Sequence, residues 1–420
     1  MTNFVPENQV FQLEKSSKKK IENPFQTFWM AGFECTDQLN VHGERVDFLN
    51  ITNHFEQVDK DYSALLGLNM QVVREGLRWS QIEKTPYSYD FDTIRSMIHA
   101  GTNAGVQQIW DLCHFGFPED LTPLHPHFTK RFESYCRAFA LFYKSLNPNH
   151  VLLVTPINEV GFMSWLGGDV AATSPYCFNN GWHVKYAYVK AYIAGIRALK
   201  QVDPGVRIIT TEPLVSVTGH PLASAQDKEN AALENQLQFQ VLDMLSGRIC
   251  PELGGKEDYL DIIGCNYYYN NQWIRSPYEV LTWNHLQPHE NYREPSGMMY
   301  ELFQRYNRPL LLSETSHPGV DKPIWVRYIT HEVSKLLKQD IPFWGICWYP
   351  VIDRPDWDNL DEWHHAGIWD RIGDLPEHQR VLHQPTAHAL KEVQEILTDL
   401  LLGCKHQNFY EIDSISTSSL

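Results

Sequence analysis

Eight short apolar runs, rich in β-branched and aromatic residues, recur along the chain: FQTFWMAGF (25–33), MQVVREGLRW (70–79), VQQIWDLCH (106–114), VLLVTPIN (151–158), VRIITTE (206–212), LDIIGCNYY (260–268), PLLLSE (309–314) and FWGICWYP (343–350). Segments of helical length and period alternate with them, at 55–66, 91–103, 128–146, 182–202, 230–248, 296–306, 322–338 and 384–400. Strict alternation of this kind predicts repeated β-α units with parallel strands. Because each parallel strand needs a right-handed crossover, eight repeats either close into a barrel or spread as an open doubly wound sheet.

Two features favour closure. No glycine-rich dinucleotide or Walker loop follows any strand, and several strands end in polar or ionisable residues, which a barrel collects on one face. The expected fold is therefore α/β, a single (β/α)8 TIM barrel over residues 24–402. The long segments after strands one, three, four, six and eight would be its mouth loops. Residues 1–20 and 403–420 lack either period and read as a disordered N-terminal tail and a flexible C-terminal tail.

A chain of 420 residues exceeds the usual size of a single core, for which closed α/β barrels are the common exception. Apolar residues at 43% supply that core, and aromatics at 13% leave some for a binding surface. A formal charge of −16 disfavours nucleic acid and anionic membranes as partners, and the one basic cluster, Lys18-Lys19-Lys20, reads as part of a solvated leader. With no run long enough for a membrane helix and no apolar signal core near the N-terminus, a cytoplasmic location is expected. The cysteines are scattered. Cys35, Cys113, Cys265 and Cys347 fall in or just after strand-like runs and read as buried reduced thiols.

The strand ends carry a chemical bias. Strand one leads into Glu34 and Gln38, strand two carries Arg74, and strand three ends at His114; strand four ends at Asn158-Glu159 and strand five at Glu212. Strand six ends at Asn266-Tyr267-Tyr268, strand seven at Glu314 and strand eight at Trp348. There is no nucleophile elbow, no H-E-x-x-H and no paired-cysteine pattern, so no metal and no cofactor is expected. The pair His364-His365 does not change this, because adjacent side chains seldom share one ion. Paired carboxylates remain, and two of them can cleave a glycosidic bond, one protonating the leaving oxygen while the other attacks or activates water. Taken singly, a strand-end glutamate is more often solvated or salt-bridged, His114 a bonded core histidine, and Glu212 before Pro213 a turn residue. Convergence of many such ends is what points to a site.

These residues also match a family pattern. The chain resembles the clan A retaining glycoside hydrolases, and most closely glycoside hydrolase family 1, the β-glucosidase and β-galactosidase family, in motif order over about residues 25 to 400. "REGLRWSQI" (74–82) resembles R-F-S-I-S-W-S-R-I and places the family's active-site arginine on Arg74. "HFGFP" (114–118) resembles H-W-x-x-P and makes His114 a sugar ligand. "NEV" resembles N-E-P, so Asn158 would hold the sugar 2-hydroxyl and Glu159 would be the general acid/base. Intact N-Y-Y at 266–268 makes Tyr268 the partner of the nucleophile, with Asn266 beside the substrate, and "SETS" resembles T-E-N-G, assigning the nucleophile to Glu314. "WYPVIDRPDW" (348–357) resembles W-S-x-x-D-N-F-E-W and carries Trp348, Asp356 and Trp357 into the sugar subsite.

There are departures: Val160 replaces proline, T-E-N-G has lost its Asn-Gly, and the strand-eight motif has one extra residue and an aspartate for its glutamate. Gln38 lies one residue out of register with the family's sugar-binding glutamine. The resemblance implies a retaining β-glycosidase acting on a small soluble carbohydrate, with Arg74 and Tyr268 favouring an ionised Glu314 and a half-buried Glu159 kept protonated. A transglycosidase using the same pair and a non-catalytic carbohydrate-binding barrel are the alternatives. The sequence leaves the oligomeric state open.

Overall fold

The structure, a computed structural model, describes residues 20–283, 287–371, 379–403 and 408–410. Eight parallel strands form a closed barrel in chain order: β1 Trp29–Gly32, β2 Val72–Gly76, β3 Gln107–Asp111, β4 Leu153–Thr155, β5 Arg207–Pro213, β6 Ile262–Asn266, β7 Leu310–Thr315 and β8 Phe343–Trp348. Around it run α1 His54–Leu66, α2 Asp92–Ala104, α3 Phe128–Leu146, α4 Gly181–Val202, the broken α5 (Ala225–Gln236 and Gln240–Leu245), α6 Pro295–Tyr306, α7 Lys322–Leu337 and α8 Gln384–Gly403. The TIM barrel read from the hydrophobic pattern is the observed fold.

One expected helix differs. The segment at 230–248 is broken into Ala225–Gln236, a tight turn at Leu237–Phe239, and Gln240–Leu245, together α5. At the break the Gln238 side chain accepts from Val215 N (3.0 Å) and donates to Val215 O (3.1 Å), tying the chain to the loop after β5. Most of the two tails lies outside the described residues; where they are described, Lys20–Glu22 pairs antiparallel with Asn408–Tyr410. The four strand-associated thiols, Cys35, Cys113, Cys265 and Cys347, are buried and free. Among the described residues no helix is long and apolar enough to cross a membrane.

Period-two alternation explains how the barrel positions its chemistry. Met30, Val72, Ile109, Leu153, Ile209, Ile262 and Leu311, one from each of the first seven strands, pack with Trp344 and Cys347 of β8 into an apolar plug. Two residues further along, the same inward face carries Arg74, Asp111, Thr155, Thr211 and Ser313, all buried. A polar layer thus rests on an apolar one at the C-terminal end of the strands. Outside the barrel, the helices bury a single large aromatic-rich core, as between Trp79 and Tyr135, whose rings stack 5.3 Å apart.

Two irregularities re-aim side chains at that mouth. The register of β7 against β8 shifts between Leu312 and Thr315, so Ser313 and Glu314 both reach inward, while the Thr315 hydroxyl accepts from Trp325 Nε1 in α7. At the tip of β4, Asn158 N donates to Cys113 O (3.0 Å) and Glu159 N to Thr211 O (2.9 Å), which spans the chain across both neighbouring strands. Glu159 is held there in the left-handed region, φ 47°, a conformation that costs a non-glycine residue about 1–3 kcal/mol and persists because both backbone bonds and the following helix, Val160–Gly168, fix it.

Candidate active site

Arg74 is the hub of the polar layer. Its Nη1 donates to Glu314 Oε1 (2.8 Å) and Ser313 O (2.9 Å), and its Nη2 to Asp111 Oδ2 (2.5 Å) and Asn158 Oδ1 (3.1 Å). The side chain is fully enclosed. Glu314 receives a second donor on its other oxygen, the Tyr268 hydroxyl at 2.8 Å. Burial and the neighbouring Glu314 push the Tyr268 phenol far up, so it stays a proton donor.

Glu159 has a different environment. Burial first, and then the negative charge of Glu314, push its carboxyl well above the usual carboxylate range, although Asn266 Nδ2 donates to its Oε1 at 2.9 Å. Asn266 is itself locked by Ser313 Oγ, which donates to its Oδ1 (2.6 Å), and by a register in which Asn266 stands beside Glu314. Asn158 is fixed by Thr211 Oγ1 donating to its Oδ1 (2.7 Å). Two carboxyl groups thus lie close enough to interact, one bound by a cation and a phenol and the other pushed toward its neutral form by burial.

His114 continues the layer: its Nδ1 bonds Asp111 Oδ2 (2.9 Å), and its Nε2 lies 3.3 Å from Tyr349 Oη and 3.4 Å from Asn158 Nδ2. Burial alone would raise the Asp111 carboxyl, but Arg74 and His114 outweigh it and hold it down. Tyr349 stacks on the His114 ring at 5.6 Å and lies under the Arg74 guanidinium at 5.3 Å. Its approach dictates Gly32, where a Cβ would come within 2.1 Å of Tyr349 Cδ2.

Arg74, Asn158, Tyr268, Glu314, Glu159, Asn266 and His114 therefore form one connected constellation. Trp348 lies at its edge, fully buried, with its indole N–H given to Ala366 O. The Trp357 ring meets Phe115 at 5.5 Å and Phe162 at 6.1 Å, and Phe162 meets the half-exposed Trp165 at 5.8 Å, so rings lead outward from the mouth. Asp356 binds its own turn, accepting from Asp358 N and Asn359 N, and pairs with His364 at 3.3 Å. Gln38 sits in a two-stranded ribbon, Asp37–Leu39 with Arg45–Asp47, where its buried Oε1 has no hydrogen-bond partner.

Four further residues join the site. Asp111 and Tyr349 are described above. Glu34 accepts from Thr36 Oγ1 (2.7 Å) and Tyr349 Oη (3.2 Å) and faces Arg354 Nε at 3.3 Å; burial works against its ionisation, but Arg354 and His114 hold its carboxyl low. The signal for Asp111 was its position three residues before His114 at the same strand end. Glu34 stood at the end of strand one and was legible there. Nothing in the pattern singled out Tyr349 or Arg354. Glu212, read from the sequence as a turn residue, holds the next helix: its Oε2 accepts from Gly161 N (2.9 Å) in the first turn of Val160–Gly168, and burial pushes its carboxyl up to about 7.

A cavity of about 610 Å³ lies apart from these carboxylates, between α1 and the loop after β8, lined among others by Gln57, Lys60, Asp61, Trp369 and Arg380. Its walls hold no carboxylate pair facing a common space, so the chemistry is assigned by the hydrogen-bonded constellation and not by cavity size.

No family model and no curated protein matches the chain. Solved structures do. The family 1 β-glucosidase from Thermotoga maritima is similar at a TM-score of 0.69 and 12% identity, covering 89% of this chain and 99% of that one. The AHE enzyme from Alicyclobacillus herbarius is similar at 0.69 and 13%, covering 90% and 100%. A β-glucosidase from Exiguobacterium marinum is similar at 0.66 and 13%, covering 89% and 98%. The chain has the fold of the family 1 β-glucosidases over nearly its whole described length.

Proposed function

We propose that this protein is a retaining β-glycosidase that cleaves the O-glycosidic bond of a small glycoside through a covalent glycosyl-enzyme intermediate. The observation that carries the reading is the opposed environment of the two carboxylates. Glu314, bonded on both oxygens by Arg74 and Tyr268, is presented as the anion that attacks the anomeric carbon. Glu159, pushed up by burial and by Glu314, keeps the proton that the leaving oxygen takes, and as a carboxylate it then activates water for the second step. Asn158, held by Arg74 and Thr211, would present its amide N–H to the sugar 2-hydroxyl, with His114 beside it. The solved relatives bearing the β-glucosidase name support the substrate class.

The test is the first-formed anomer of an aryl β-glycoside, followed by proton NMR. Retention is expected, and with it a separation of about 5–5.5 Å between the carboxyl groups in the substrate complex. Inversion would remove Glu314 as nucleophile. Transfer to an acceptor alcohol uses the same pair, and the rings running from Trp357 to the half-exposed Trp165 favour acceptor binding; the ratio of alkyl glycoside to free sugar measures it.

A further inference from the structure

The loop after β8 carries a second cluster that the carboxylate site does not use. Asp353 is fully buried; its Oδ1 accepts from Ala366 N at 3.1 Å, while its Oδ2 has no hydrogen-bond partner. His365 Nδ1 stands 3.5 Å from that oxygen, and Asp370 completes a set whose ligand atoms all lie within 4.8 Å of one another.

An ordinary ion pair does not account for this arrangement. Elsewhere in the molecule buried histidines bond carboxylates at 2.7 Å (His54–Asp61), 2.9 Å (His114–Asp111) and 3.0 Å (His54–Glu75), and the partly exposed His364 bonds Asp356 at 3.3 Å. The Asp353–His365 separation is too long for such a bond but matches two ligands of one ion, since donors about 2.0–2.1 Å from a tetrahedral centre stand roughly 3.4 Å apart. A buried carboxylate oxygen without a donor is costly, and a cation would satisfy it. Lys322 Nζ is buried and bonds both oxygens of Asp370 (3.1 and 2.9 Å) and Gly367 O (2.9 Å), orienting Asp370 and offsetting one negative charge without bonding Asp353. The exposed side of His365 leaves room for water ligands.

We propose that Asp353, His365 and Asp370 bind a divalent ion of the Zn2+ class, with water in the remaining positions. Mixed imidazole and carboxylate donors suit such an ion. Bound there, it fastens residue 353 to 365 and 370 and so closes the loop that carries Arg354, Asp356 and Trp357. Its role is to fix that wall of the mouth, and the proposal stands independently of the glycosidase reading.

The full chain is treated with a chelator, dialysed, and titrated with Zn2+ by calorimetry and with Co2+ by visible absorption. One site is expected that raises Tm and gives the d–d bands of bound Co2+. Asp353→Asn, which keeps the acceptor for Ala366 N, and His365→Ala, at an exposed position, should each weaken that site by more than about tenfold. The exposed histidine variant keeps the test decisive if the buried one fails to fold. Absence of a site in the unaltered protein, or a site that survives both substitutions, overturns the proposal.

Discussion

Replacing Arg74 by methionine tests the polar layer most directly, because that one guanidinium serves two buried carboxylates. Asp111 and Glu314 would each lose their cation while enclosed by protein, and Asn158 and Ser313 O would each lose a donor. Removing one member of a buried pair costs about 3–5 kcal/mol, chiefly for the charge left behind, and Arg74 leaves two, so a loss at or above the upper end is expected. The stranded carboxylates can escape by taking up protons. Their folded-state pKa values would then exceed the unfolded ones, a destabilisation that is absent below the unfolded values and grows as pH rises. Urea unfolding at several pH values should therefore show the variant nearest to the unaltered protein in acid and falling away above it. Adding Asp111→Asn to Arg74→Met should recover part of the loss, since one stranded charge is gone. A single variant as stable as the parent at neutral pH, or a double variant weaker than the sum of the singles, would refute the picture of Arg74 as the counter-ion of this layer.

Four further outcomes follow from the same geometry. Glu159→Ala should still glycosylate on activated aryl glycosides and, with azide, release a β-glycosyl azide, whereas Glu314→Ala should yield only the α-azide; exchanged products would swap the two roles. The raised Glu159 carboxyl keeps the acid protonated beyond the ordinary carboxylate range, so kcat/KM should hold through that range and fall only at higher pH, a limb that Glu159→Gln should abolish with an activated leaving group. Trp165→Ala should raise KM for aryl glycosides with little change in kcat if the ring binds the leaving group, and equal effects on both parameters would place it elsewhere. His54 is buried between Glu75 and Asp61; burial alone would lower its pKa, but those carboxylates raise it from 6.5 to about 9, so its contribution to stability is full below pH 6.5 and lost as pH rises through about 9, a decline that His54→Gln should remove from the unfolding profile.

The barrel was legible because its strands obey one rule throughout. Each interior strand buries both faces, so it reads as a continuous apolar run with a helix-length segment after it, and the observed strands fall within all the runs or one residue beyond them. The break in α5 was not legible, since the apolar period continues through Leu237 and Phe239; it is the Gln238 amide, bonded to Val215 across the fold, that stops the helix. Tertiary bonds of this kind leave no local trace. The short ribbons in the loops escaped for a related reason: Asp37–Leu39 and Trp369–Arg371 are three residues each, too short for alternation to show.

The constellation was legible where chemistry sits on the strand itself and illegible where a loop brings it back. Asn158 lies three residues beyond β4 and is placed by its bonds to Cys113 O and from Thr211 Oγ1, whereas Arg74 inside β2 and Asn266 at the end of β6 keep the inward face that counting by twos gives them. Glu314 does not: counting by twos from Leu311 through Ser313 puts Thr315 inside and Glu314 outside, and only the slipped register between Leu312 and Thr315 reverses them. Its assignment came from "SETS" and Tyr268, not from periodicity. Arg354 lies beyond β8, and what makes it part of the site is Glu34 at the opposite edge of β1, a neighbour only once the barrel has closed. Barrel closure joins the first strand to the last, and so the charge pair across that seam is the feature a reading along the chain is least able to see.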